Sequence, residues 1–127
     1  LNWLGLAVED VGFVRLLAST RVSAAQFLVH GRLWRSPRWR APPPTMELHD
    51  YGHIEHNASQ FCLTPLVLAE VWRADNGSFA LVAVNHDSVQ ALPINVLVDV
   101  AASGAPARLV AVNQTIQPRS VLVYELS

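Results

Sequence analysis

The spacing of hydrophobic and polar positions changes along this chain. Between Val11 and His30 there is no proline, and Gly12 is the single glycine. Phe13, Leu16, Leu17, Thr20, Ala24, Phe27 and Leu28 recur at intervals of three and four, the signature of one helix face. Arg15, Ser19, Ser23 and Gln26 fall on the opposite side. Glu9 and Asp10 precede the stripe, where carboxylates suit the positive end of a helix dipole. Gly31 follows His30 as a C′ residue. The pattern predicts one amphipathic α-helix.

That period ends at Ser36–Thr45, "SPRWRAPPPT", where Pro37, Pro42, Pro43 and Pro44 remove donors and fix an extended backbone. A semi-rigid linker is expected there. Beyond it the period shortens to two. Leu66–Arg73 and Ser78–Asn85 read as a hairpin about the turn Ala74–Gly77, with Asn76-Gly77 suited to positive φ. In the second of these strands Phe79, Leu81, Ala83 and Asn85 share one face, and Ala80, Val82 and Val84 the other. Both faces are apolar, so the strand is expected to be central. Ile94, Val96, Val98 and Val100 alternate with Asn95, Leu97 and Asp99 in a further strand. Ala107–Val112 and Ser120–Leu126 complete the set, with Tyr124 on the face of Leu122 and Leu126. Short strands separated by turns predict an antiparallel β-sandwich of about six to seven strands, preceded by the helix; the fold class is mainly β.

Composition narrows the function classes. About half of the residues are hydrophobic and the net charge is −1, a globular balance with no basic stripe, so nucleic acid is not an expected partner. All nine basic residues are arginine, which removes lysine chemistry. The single Cys62, between Phe61 and Leu63, reads as a buried small hydrophobe. No segment approaches the ~18 apolar residues that span a bilayer, and no membrane is expected. The opening "LNWLGLAVED" lacks Met and a basic n-region, so the chain is expected to lie within a longer protein.

Candidate chemistry concentrates in "HDYGHIEH", His49–His56. On a helix His49, His53 and His56 would form one stripe fit for a metal. The preceding prolines and Gly52 argue against a helix, and on a strand His49 and His53 would stand about 13 Å apart. The favoured reading is an exposed strand and turn; a metal site at His49, His53 and His56 is the alternative. Glu9, Asp10, Glu70, Asp75, Asp87, Asp99 and Glu125 form no facing pair of carboxylates, and neither a nucleophile elbow nor a phosphate loop occurs. No catalytic residue and no cofactor is assigned. Trp34, Trp39 and Trp72 are candidates for carbohydrate binding by stacking. Against this, Trp34 and Trp39, among Arg32, Arg35, Arg38 and Arg40, read as a clamp on the linker, and Trp72 as sandwich core. Asn57, Asn76 and Asn113 open N-glycosylation sequons, a lean towards a secreted or extracytoplasmic protein; otherwise they are turn residues.

The helix, with Arg21, Phe27, Leu28, Gly31, Arg32 and Pro37, resembles the last helix of a TIM-barrel glycoside-hydrolase-like protein. Val71, Trp72, Arg73, Asn76, Gly77, Ser78, Ala80, Leu81 and Asn85, with the closing "VLVYEL", are similar to the β-sandwich at the C-terminus of such proteins. The resemblance implies residues 1–35 as the terminal helix of a (β/α) barrel, 36–45 as linker and 46–127 as the sandwich. It also implies that the catalytic carboxylates lie upstream. The function it implies is a non-catalytic unit bracing that barrel, with a carbohydrate-binding module as the alternative.

Overall fold

The computed structural model describes residues 8–50 and 60–126. The chain is mainly β. Among the described residues seven strands form two facing antiparallel sheets, two more form a separate hairpin, and a helix covers the outside of one sheet.

The helical segment forms as α1, Val8–Ser23, and one further turn, α2, Ala25–Leu28. The single long helix expected to run to His30 is interrupted at Ala24, which leaves helical geometry at φ −106° and ψ 33°. Hydroxyls crowd the preceding turn. Thr20 Oγ1 and Ser19 Oγ donate to the Leu16 carbonyl at 2.7 and 3.0 Å, and Ser23 Oγ to that of Thr20 at 3.2 Å. Such back-bonding competes with the helix ladder and bends it.

The first sheet has the order β1 (Arg32–Leu33), β5 (Val67–Arg73), β6 (Phe79–Asn85), β9 (Ser120–Leu126). The second has the order β2 (Arg38–Trp39), β7 (Leu92–Asp99), β8 (Leu109–Ile116). Among the described residues β3 (Thr45–Asp50) and β4 (Gln60–Pro65) pair only with each other. Strand parity follows the sequence pattern. Phe79, Leu81, Ala83 and Asn85 face inward, and Ile94, Val96, Val98 and Val100 meet them from the second sheet in one core with Val67, Val71, Val112 and Ile116. Leu122, Tyr124 and Leu126 join the same core from β9. β6 lies between β5 and β9, as its two apolar faces require. Its outer face carries Ala80, fully buried because Phe27 packs over it with Ala74. An alanine there lets α2 come close to the sheet.

Three boundaries differ from the pattern. At the hairpin only Gly77 takes positive φ (90°), and Asn76 does not. Ala74 N–H donates to the Ser78 carbonyl and Gly77 N–H to that of Ala74, at 2.8 and 2.9 Å, so the expected turn Ala74–Gly77 forms with its last residue alone left-handed. β7 begins at Leu92, ahead of Pro93. The missing donor is tolerated because β2 pairs only with Val96 and Leu97, leaving that edge of β7 open. β8 starts at Leu109 and runs through Asn113 to Ile116, although its polar residues suggested an end at Val112. Asn113 and Thr115 lie on the exposed outer face, where polarity costs nothing, while Val112 and Ile116 are buried.

The proline-rich stretch is partly built into the sandwich. Residues 32–39 leave the edge of the first sheet at β1 and reach the edge of the second at β2, with Pro37 buried between. The helix likewise rests on the sandwich: Gln26 Nε2 donates to Glu125 Oε1 at 3.3 Å, and Phe13 packs edge-on against His86, centroids 6.1 Å apart.

Candidate functional site

The crossing from the first sheet to the second gathers a set of hydrogen-bonded and ion-paired side chains. Trp34 follows β1 and extends its register, donating its backbone N–H to the Val71 carbonyl at 2.8 Å. Its indole Nε1 donates to the Asp99 carbonyl at 3.1 Å, so one residue ties the two sheets together. The ring meets Phe79 edge-on at 5.4 Å. The guanidiniums of Arg35 and Arg73 stand 5.0 and 5.5 Å from the ring centre. A tryptophan so placed excludes water from one end of the core and holds two cations against its π-system.

Asp99 completes this corner. Its Oδ1 accepts from Ala101 N–H at 2.9 Å and Arg108 N–H at 3.2 Å, and its Oδ2 pairs with Arg35 at 3.0 Å. The two backbone donors, with help from Arg35, hold its carboxyl below the ordinary carboxylate range. The sequence pattern sets Asp99 on the strand face opposite Ile94, Val96, Val98 and Val100. It is half-buried because the Ala101–Arg108 turn folds over it.

The other end of the sandwich carries a different polar group. Asn85 is fully buried and fully used: Nδ2 donates to the carbonyls of Gln90 and Ile116 at 2.9 and 3.0 Å, and Oδ1 accepts from Asp87 N–H at 2.9 Å. Beside it His86 leaves Nε2 buried without a hydrogen-bond partner among the described residues. Burial, then the nearby Arg119, lowers its pKa. Arg119 in turn stands 5.3 Å from the Phe13 ring.

The three tryptophans do not form one platform. Trp34 and Trp39 pack on the inter-sheet core, whereas Trp72 lies on the outer face of the first sheet with Phe27 and Ala80. Trp72 is therefore not sandwich core: Val71 takes the inward position and parity turns its neighbour towards the helix. His49 lies on β3 opposite Phe61. His53, His56 and Asn57 lie outside the described residues. Among the described residues no three His, Cys, Asp or Glu side chains converge in metal-binding geometry. Asn76 is exposed at the hairpin, and its Oδ1 accepts from the Ser78 N–H and hydroxyl. Asn113 is an exposed strand residue and not a turn residue, paired with Asn95.

Sequence reasoning missed the opposition of Arg32 and Arg73. β1 is two residues long and gives no periodic signal, so its partner appears only in three dimensions. Beside these arginines lies a cleft of about 340 Å³, lined by Arg32, Leu33, Trp34, Arg73, Ala74 and Asp75. A second of similar volume, lined by Gln26, His30, Ala74, Asp75 and Asn76, adjoins the end of the helical segment.

Comparison with protein-family models, with curated proteins and with solved structures finds no match to this chain.

Proposed function

We propose that this chain is a non-catalytic β-sandwich unit that braces a larger body, with α1 wedged between the two. The observation that supports it is the second apolar stripe of α1. Phe13 is buried against the sandwich, yet Val14, Ala18 and Val22, spaced by four, run along another side of the same helix. Val14 is 50% and Val22 77% exposed. Leu16 and Leu17, at the margins of the inward face, are 37% exposed each. A helix apolar on more than one side is characteristic of one covered on more than one side. The body we assign to this surface is the (β/α) barrel of a glycoside-hydrolase-like protein, upstream in the same polypeptide. That assignment rests on the resemblance of the helix and of the Val71–Asn85 hairpin. In this reading the reaction belongs to the barrel, and this unit covers its apolar exterior.

Two measurements test the reading separately. The isolated chain should self-associate in light scattering and bind an apolar dye, and the pair Val14→Glu and Val22→Glu should make it monomeric. A stable monomer that binds no dye overturns the docking surface. The coding sequence before Leu1 should encode alternating strands and helices; a reading frame that opens at Leu1 overturns the barrel assignment.

A further inference from the structure

Arg32 and Arg73 are directly opposed partners in the β1–β5 ladder, so their side chains leave the same face of the sheet. Like charges in this relation repel, and a sequence shaped by stability alone would place an acid or a neutral residue at one of the two positions. No ion pair relieves them among the described residues. Trp34, two residues beyond Arg32 and opposite Val71, shares that face, and the Arg73 guanidinium lies 5.5 Å from its ring. The result is a cleft of about 340 Å³ lined by both arginines and Trp34, together with Leu33, Ala74 and Asp75. Asp75 also lines it but bridges to neither arginine, so the cleft keeps one net positive charge.

We propose that Arg32 and Arg73 together bind an oxyanion: the carboxylate, sulfate or phosphate group of a small ligand that enters beside Trp34. A guanidinium offers two parallel N–H donors that match the spacing of two oxygens on such a group. Two guanidiniums on one face can take a single anion between them, which turns their repulsion into a common attraction. Trp34, held by its bond to Asp99, supplies a rigid wall for whatever the anion is attached to. The site is independent of the α1 surface, since it lies where β5 turns into β6.

Nuclear magnetic resonance of the 127-residue chain separates the four tryptophans and reads the site directly. Acetate, sulfate and phosphate are titrated separately, with sodium chloride holding ionic strength constant. At least one should shift the Trp34 indole N–H and the Arg32 and Arg73 Nε–H signals along a saturable curve, leaving Trp39 unmoved. Arg32→Gln and Arg73→Gln should each weaken that binding by about tenfold, the loss of a charge-assisted fork. Both side chains are exposed, and an unchanged Trp39 signal certifies that each variant is folded. Shifts that grow linearly with every salt, chloride included, overturn the site. Saturable binding that survives both substitutions overturns it equally.

Discussion

Trp34 donates its indole N–H to the main-chain carbonyl of Asp99 at 3.1 Å, a hydrogen bond between a residue leaving the first sheet and the last strand residue of β7 in the second. The bond lies at the mouth of the core, where Trp34 also covers Phe79. Trp34→Phe keeps most of the apolar volume and removes the donor, so it should cost about 1 kcal/mol. Trp34→Ala opens the end of the core and should cost about 3 kcal/mol. Urea unfolding of the two variants against the parent checks both the values and their order.

Asn85 makes three hydrogen bonds from a fully buried position. Asn85→Leu would leave two carbonyls and one N–H without partners and should destabilise by about 3 kcal/mol. Asn85→Asp should be as damaging at neutral pH, because its carboxylate would face the carbonyls of Gln90 and Ile116, and less damaging once acid protonates it. Denaturant midpoints of Asn85→Asp at pH 7 and pH 5 should therefore converge on those of the parent as pH falls.

Gly31 sits where the helical segment meets the β5–β6 hairpin. A Cβ there would lie 2.8 Å from the Arg73 carbonyl oxygen and 2.9 Å from the Phe27 Cα, and closer still to the Phe27 carbonyl oxygen. All three are backbone atoms and cannot rotate away. Gly31→Ala should cost about 2 kcal/mol by forcing the helix off the sheet. Hydrogen exchange should localise the damage to α2 and the Arg73–Ala74 region, with the second sheet unaffected.

Among the described residues, His86 and Asp99 make stability depend on pH. His86 has a folded pKa below its ordinary 6.5, because burial and Arg119 disfavour the imidazolium. The unfolded chain therefore takes up a proton that the folded chain refuses. Stability is full above 6.5 and declines as pH falls from there towards the folded value. Asp99 has a folded pKa below its ordinary 3.8, through the N–H groups of Ala101 and Arg108 and the Arg35 cation. Its contribution is present above 3.8 and is lost as pH falls further. Thermal melts should show a decline beginning near pH 6.5 that His86→Phe abolishes, and a separate loss below pH 3.8 that Asp99→Asn reduces.

The sandwich was legible because its two faces are written as alternation. Phe79, Leu81 and Ala83 against Ala80, Val82 and Val84 require a central strand, and Ile94 to Val100 require a single inward face. The helical segment was legible in part: Phe13, Ala24 and Phe27 of the expected stripe are buried, whereas Leu16 and Leu17 of the same stripe are exposed. Its outward stripe was not, because Val14, Ala18 and Val22 interleave with Arg15, Ser19 and Arg21 and blur the contrast between the sides. The candidate site was legible only as composition: Trp34 among arginines, with nothing to say which arginine faces which.

From the order of residues alone came the fold class and the inward face of the central strands, since periods of two and of three to four arise from local backbone geometry. Tertiary structure decided which pieces meet. It seated the helix on the first sheet, built Arg38–Trp39 into the second and set Arg32 against Arg73. A two-residue strand carries no period of its own, and its partner lies some forty positions away, so only the closed chain could select that pairing.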